Sequence, residues 1–562
     1  RHQAGSGGTL HAPLTTAASP TAPATTAPNV GESSTLTIAS GLQAAISDNF
    51  NPFDASSPLS KMGVIPFVYE PLLLYDELEV NQYYPWLAES WAFSTSGETI
   101  SFYLRPGVSW ADGSPFTASD VAYTFDLLKD YPGINRTGLP IVSATASNPT
   151  TFTLTLSQPG YAYLYDIARV PIVKDGFAQG IDPAGYVQPR PDGTGPYALA
   201  SLHDLTRQQI TLTARANYWQ PGEPTIRQLV FPAYADVEDI ALAFRSGKLD
   251  WAGEPMPYIQ SAFSGAVNAE NNYWSPPVDC ITLIPNLTRY PLNLLAVRRA
   301  VSAAVDRSLV STMAEGGYEQ AATSSSGLVL PTDVQYLGVG NTNDLRASGN
   351  PTLARQIMHE AGFHIGRDGY WTNPSGLKVA FTVEDPVGTD YYTAAALVAQ
   401  QLDRSGFDVT AEAVARSQWT ADLTTGDFDA TVRWSSTGPT PFYMYQNWLD
   451  PSLVSGGHAN GGDFERFDTT TAHADATTAT SALALYMDNP PDSTAASSAM
   501  RSLAGIVSRY LPVIPLLYGV AWGEFSTARA TGWPDDTDPY EPAQPLGPFD
   551  EYTVLQLSPT SP

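Results

Sequence analysis

This sequence predicts an α/β protein built from more than one domain, and three observations carry that prediction. At 562 residues the chain exceeds what one hydrophobic core supports, so two or three domains are expected. From about residue 295 helical patterns alternate with short apolar strands, which implies a sheet covered on both sides. Between Pro85 and Phe125 the chain reads as a well-punctuated strand-turn-helix: alternation through Thr99–Leu104, turns at Pro106-Gly107 and Asp112-Gly113, then a helix entered at Thr117.

The elements follow in order. Residues 1–33 are Thr, Ala, Pro, Gly and Ser with few large apolar side chains, so they read as an extended tether. The folded body starts with a strand at Thr35–Ala39, followed by the polar-aromatic loop Asn49–Phe53 and then Tyr69-Glu70-Pro71-Leu72. Thr117 and Asp120 form a capping box, and Val121, Phe125 and Leu128 make the apolar side of the helix they open. Strands at 151–157 and 209–214 flank the turn-rich Gly193-Thr194-Gly195-Pro196-Tyr197. Asp236 caps a helix that buries Ile240, Ala243 and Phe244 and stops at Gly247. In the second half, helices are expected at about 295–306, from Pro351 to Gly362 and from Tyr391 to Ser405, with strands at 378–383, 407–410 and 430–434. An Ala/Thr-rich helical stretch, 468–510, leads into an apolar strand at 513–518.

Composition excludes several functions. Lys and Arg number 28 against 56 Asp and Glu, a formal charge of -28, which repels nucleic acid and anionic lipid. Solubility of an exported protein accounts for that charge first, and steering of a cationic ligand second. No apolar run is long enough to span a bilayer. Cys280 is the only cysteine, so no disulfide or multi-thiolate metal site can form within the chain, and it reads as an inert core thiol. The histidines do not cluster, and no zinc, phosphate-loop or Gly-x-Ser-x-Gly motif is present. No cofactor is expected.

The run Pro85–Phe125, with Tyr69-Glu70-Pro71-Leu72, the Gly193–Tyr197 junction, Asn217-Tyr218-Trp219, Phe244-x-Ser246-Gly247-x-Leu249-Asp250, Val297-Arg298-Arg299-Ala300-Val301, Asp306-Arg307 and Pro512-x-Ile514-Pro515-Leu516, resembles the family 5 extracellular solute-binding proteins of ABC importers. That resemblance implies a bilobal periplasmic-binding-protein-like fold (type II, cluster C) with an extra subdomain in the first lobe and ligand held between the lobes. The division it implies is a tether at 1–33, a first lobe at 34–60 and 191–280, an inserted subdomain at 61–190, a second lobe at 281–515 and a return to the first lobe at 516–562. It further implies a monomeric carrier that delivers its ligand to ABC permease subunits. Its place would be the extracellular face of the membrane, with a lipid anchor and signal peptide upstream of this chain.

The ligand is read from two places. Peptide binders of this type carry an Asp in a Trp-x-x-Asp stretch of the second lobe, whereas here the stretch runs Trp434-Ser435-Ser436-Thr437-Gly438-Pro439-Thr440-Pro441. A buried ammonium with no counter-charge is costly, so a free peptide amino terminus is disfavoured; Asp427 and Asp429 nearby are read as strand entry. The end of the chain, around Trp522, Glu524 and Trp533, is similar to the cello-oligosaccharide binders of the family. Pyranose rings stack on indole and phenol faces while amides and carboxylates take their hydroxyls. The expected ligand is therefore a neutral β-linked oligosaccharide, with an oligopeptide as runner-up. The candidate ligand residues are Trp434 and Trp522 first, then Trp274, Tyr443 and Tyr445, with Asn49, Asn51 and Glu524 as polar partners. Trp86, Trp91, Trp110 and Trp219 are assigned to the scaffold. The rival is a secreted glycoside hydrolase, which needs two carboxyls about 5–10 Å apart across the scissile bond, with Glu524 as the acid to watch.

Overall fold

The computed structural model describes residues 34–43, 45–202, 206, 208–263, 269–338, 344–450, 452–453, 473–545 and 547–560. The tether at 1–33 and the start of the 468–510 stretch lie outside the described residues. The chain divides into two compact units, one running to Ser275 and resuming at Ala521, the other spanning Pro276–Val520.

In the first unit, Thr35–Ala39 turns Leu36 and Ile38 into the core and pairs in parallel with both Gln228–Pro232 and Trp251–Ala252. Antiparallel strands extend this sheet to seven: Gln209–Ala214 and Tyr197–Leu199 on one side, Gly523–Ser526 and Asn271–Trp274 on the other. A separate antiparallel sheet runs Ala88–Phe93, Thr99–Leu104, Thr151–Leu156 and Ile141–Asn148. Against it lies the helix Ala118–Asp130, which opens on the Thr117/Asp120 capping box as its sequence predicts and seats Phe125 on Phe152, ring centroids 5.4 Å apart. The Asp236-capped helix runs Val237–Arg245, and Gly247 follows its C-cap at φ 70°, a left-handed turn that favours glycine.

The motifs that carried the resemblance meet here around one buried carboxylate. Glu70 accepts hydrogen bonds from Trp86 Nε1 at 2.7 Å, the Tyr218 hydroxyl at 2.8 Å and Trp219 Nε1 at 3.1 Å. The Arg105 guanidinium lies over the Trp219 ring at 4.4 Å and donates to the Trp86 carbonyl. Arg215 donates to the carbonyls of Gly193, Gly195, Ser109 and Trp110, tying the glycine-rich junction to the strand-turn-helix. Gly195 passes so close to Val68 that an added Cβ would stand 2.6 Å from the Phe67 carbonyl oxygen. Asp250 is buried, accepts from the Thr37 amide and pairs with Arg529 at 2.8 Å. These residues build the scaffold.

In the second unit a five-stranded sheet runs Asp408–Val414, Ala380–Pro386, Ala430–Trp434, Pro277–Pro285 and Ile514–Val520. The first three strands are parallel and the last two antiparallel to their neighbours. Helices Leu295–Ala304, Pro351–Glu360 and Asp390–Arg404 pack on this sheet through Val297, Val301, Met358, Val398 and Leu402. Asn350 caps the second of these with Pro351 in its first turn, and Thr389 caps the third. Arg298 and Arg307 are buried; Arg298 donates to the carbonyls of Leu292, Tyr510 and Leu511, and Arg307 to those of Ser302 and Pro515. Cys280 is buried, and burial pushes its thiol well up, which makes it inert.

Several elements differ from the sequence expectation. The long helical stretch divides into His473–Met487 and Thr494–Tyr510, because Pro490-Pro491 cannot continue a helix. Helix Arg416–Thr425 was not foreseen, since Trp419 and Leu423 alone anchor it and leave no apolar periodicity to read.

Candidate functional site

Open α/β sheets place their ligand groups at the carboxyl ends of parallel strands, and each unit gathers chemistry-bearing residues there. In the second unit, strands Ala380–Pro386 and Ala430–Trp434 run parallel with Val383 opposite Ala430, so Trp434 is level with the loop that leads to Asp390. Tyr391 stacks on Trp434 with centroids 5.4 Å apart and planes at 30°, and both rings are half-buried. Trp419 packs at 6.3 Å from Trp434, and the Arg433 guanidinium lies 5.1 Å from the Trp434 ring centroid.

Four acids share this edge. Asp279 stands opposite Gly519 on the neighbouring antiparallel pair. Glu315 ends the helix Arg307–Glu315, and Glu319 precedes the segment that runs alongside Ile514–Val520, where Ala321 bridges Leu517. Asp390 opens its helix beside Tyr391. Burial, and then the charges of Glu319, Asp390, Asp279 and Glu315, push the Tyr391 hydroxyl well up. Glu315 is 1% exposed, and burial, then the charges of Glu319 and Asp390 and a hydrogen bond with Asp390, push it up to about 12.

In the first unit the corresponding end holds Glu254, Trp274, Trp522 and Glu524. Glu524 lies opposite Ala252 on one side and Tyr273 on the other, and Trp274 lies opposite Gly523. Glu524 is 0% exposed and neither carboxyl oxygen has a hydrogen-bond partner. Burial pushes it well up, with the charge of Glu254 adding to the effect. Burial alone raises the half-buried Glu254 to about 7.

The candidates named from sequence separate clearly. Trp434 and Tyr443 are half-buried in the second unit, with the Tyr443 ring against Gly438, where an added Cβ would stand 2.5 Å from it. Trp274 is half-buried in the first unit, and Trp522 beside it is buried. Tyr445 is fully buried and its hydroxyl donates to the Ser326 carbonyl at 2.8 Å. The Asn51 amide donates to the carbonyls of Pro183 and Tyr186 and accepts from the Phe53 amide. Asn49 accepts from the amides of Asn51 and Gln188 and donates to Asp54, which braces the same loop. Asp427 and Asp429 both pair with Arg289, and Asp429 also accepts from the Thr382 amide, so they hold strand entries together. Trp533 braces the first unit through the carbonyls of Ser526 and Ala530.

Sequence reasoning missed Tyr391, Glu315, Glu319 and Asp390. The one local signal was the position of Tyr391 at a helix start just after a parallel strand. Among the described residues no three acids, histidines or cysteines come together to hold a metal ion. No helix among them is long and apolar enough to cross a membrane.

Residues 82–455 match the family of bacterial extracellular solute-binding proteins, family 5. The Glutathione-binding protein GsiB of Escherichia coli (strain K12) is 27% identical over 436 residues, covering 73% of this chain and 79% of that protein. The periplasmic oligopeptide-binding protein of an oligopeptide ABC transporter from Thermotoga maritima superposes with a TM-score of 0.81 at 24% identity, covering 94% of this chain and 100% of that one. Its mannohexaose-bound structure superposes at 0.77 with 25% identity, covering 95% and 100%. The scaffold motifs, the paired α/β units and these likenesses agree: the chain belongs to the family 5 extracellular solute-binding proteins, the solute-capturing components of ABC importers.

Proposed function

We propose that this chain captures a β-linked oligosaccharide at the extracellular face of the membrane and delivers it to ABC permease subunits. The observation that carries the reading is the half-buried Tyr391–Trp434 ring pair at the carboxyl end of parallel strands, a position where a pyranose C–H face can stack. Trp274, Tyr443 and Glu524 are the supporting candidates. The mannohexaose-bound relative supports a sugar ligand for this fold. An oligopeptide is the second reading, favoured by the likeness to the glutathione-binding protein and to the oligopeptide-binding one.

The carrier acts as a monomer, tethered by a lipid anchor, and does not turn its ligand over. A thermal-shift screen of cello-, xylo-, laminari- and chito-oligosaccharides beside tri- to pentapeptides tests the ligand, because binding to the folded state alone raises the melting temperature. Stabilisation by peptides and by none of the sugars refutes the oligosaccharide reading. Hydrolysis of cello-oligosaccharides that vanishes in Glu524→Gln refutes the carrier reading.

A further inference from the structure

We infer that a proton shared between Glu70 and Glu551 latches the helix Asp550–Gln556 onto the first unit, holding it at acid and neutral pH and releasing it in alkali. The latch does not depend on which solute the protein carries.

Two carboxyls meet in the interior of this unit. Glu70 stands just ahead of the strand Leu73–Tyr75, Glu551 lies in the first turn of the helix, and both are 0% exposed. Glu70 takes the donors Trp86 Nε1, the Tyr218 hydroxyl and Trp219 Nε1 at 2.7–3.1 Å. The Glu551 carboxyl meets Glu70 and the Trp86 indole. Ionised carboxyls only accept, so the contact between the two is a hydrogen bond when one of them carries a proton. With both charged it becomes a repulsion in a site without water. Glu551 keeps the proton, because the donors favour charge on Glu70.

The surrounding charges leave that proton in place. Arg105 and Arg215 are the cations facing Glu70. Arg105 donates to the Trp86 carbonyl and pairs with Glu89, and Arg215 donates to the carbonyls of Gly193, Gly195, Ser109 and Trp110. Both favour the Glu70 carboxylate, and none of these bonds goes to Glu551. The acids that face the rest of the segment add negative charge: Asp76 and Glu77 face Glu541, Glu77 faces Asp550, and Asp538 and Glu541 face Tyr552.

The helix is small enough to leave by itself. Its seven residues carry no side-chain cap at the start, and so short a helix is not stable alone in water. Packing holds it: Tyr552 stacks on Tyr84 with ring centroids 5.4 Å apart, and Val554 and Leu555 are buried. Native proteins open locally at such short, packing-dependent pieces. Once released, Glu551 ionises in water above the ordinary glutamate range. Each opening then gives up one proton, so the latch is strongest below that range and weakens as pH rises, until the docked pair itself ionises. Burial, and then the charge of Glu70, push the docked Glu551 well up, which widens that window towards alkali.

The test is hydrogen exchange of the full chain from about pH 5 to about pH 9, read by mass spectrometry and corrected for the intrinsic exchange rate. The helix Asp550–Gln556 of the wild type is expected to lose protection by at least about tenfold per pH unit, ahead of the strand Thr35–Ala39. Glu551→Gln gives Glu70 a permanent amide donor, and Glu70→Gln gives one to Glu551. Each variant should flatten the slope by about tenfold per pH unit relative to the wild type. A carboxyl that merely fills space would shift protection equally at every pH and leave the slope alone.

Wild-type protection that stays flat over this range overturns the latch, and that measurement decides even where a variant fails to fold. A fall shared equally by Thr35–Ala39 overturns it too, since the whole unit is then unfolding. A wild-type slope retained in Glu551→Gln also overturns it.

Discussion

Replacing Glu70 by leucine should destabilise the first unit by about 2–4 kcal/mol, and the figure follows from the donors left behind. Glu70 receives the Trp86 and Trp219 indole N–H groups and the Tyr218 hydroxyl at 2.7–3.1 Å. Trp86 and Tyr218 are buried, at 1% and 6% exposure, so neither donor can turn to water once the acceptor is gone. Each buried orphan costs about 1–3 kcal/mol, giving about 2–6 kcal/mol gross. Trp219 is half-buried and can re-solvate, so it adds little. The offset is the relief of a crowded acid pair. Burial pushes both Glu70 and its neighbour Glu551 up, and the three donors favour charge on Glu70, leaving the proton on Glu551. Leucine removes that buried charge, which returns part of the cost. Glu70→Gln is the control, since its carbonyl oxygen still accepts and its loss should stay below about 1.5 kcal/mol. Urea unfolding followed by tryptophan fluorescence and by circular dichroism reads both variants, with coincident transitions required before a single free energy is quoted. Stabilities of Glu70→Leu and Glu70→Gln within 0.5 kcal/mol of each other, about the additivity error of such measurements, would refute the role given to this carboxylate.

Other expectations follow from the same structure. Burial raises Asp76 to about 6, Glu254 and Asp333 to about 7 and Glu384 to about 8, so the folded state holds protons that the unfolded chain releases. That stabilisation is complete below the unfolded carboxyl range and is lost as pH rises through these folded values. The melting temperature should therefore fall between pH 5 and pH 8.5; a rise across that window would contradict the assignment. Gly519→Ala places a Cβ 1.7 Å from Asp279 Oδ1, which forces the carboxyl aside and should cost about 1–3 kcal/mol in thermal unfolding. Gly505→Ala, in the helix Thr494–Tyr510 with open space around its Cβ position, should instead stabilise by about 0.5–1 kcal/mol; a loss there would contradict the helix assignment. Trp434→Ala should weaken sugar binding by about 1–3 kcal/mol with little salt dependence, and unchanged affinity would remove this ring from the site.

The sequence by itself determined the family and most of the architecture, because those depend on local signals. Capping boxes, glycine stops and prolines at first helical turns are short-range chemistry, so Thr117 with Asp120, Gly247 and Pro351 could be placed by inspection. Trp86 and Trp219 could be assigned to the scaffold because they stand inside the ordered motifs, and the structure shows that both donate to Glu70, joined there by Tyr218. Tyr445 and Asn51 could not be settled that way. Whether a phenol or an amide faces solute or spends its hydrogen bonds inside depends on what lies across from it. Across from Tyr445 lies the Ser326 carbonyl, and across from Asn51 lie the carbonyls of Pro183 and Tyr186, all far away in sequence. The acids around Tyr391 show the same limit. The stretch after Trp434 has no anchoring Asp, yet Glu315, Glu319 and Asp390 reach that edge from two helices and a loop. Each acid alone looks like one among 56, and only the parallel strand order and the helix ends that follow from it bring them together.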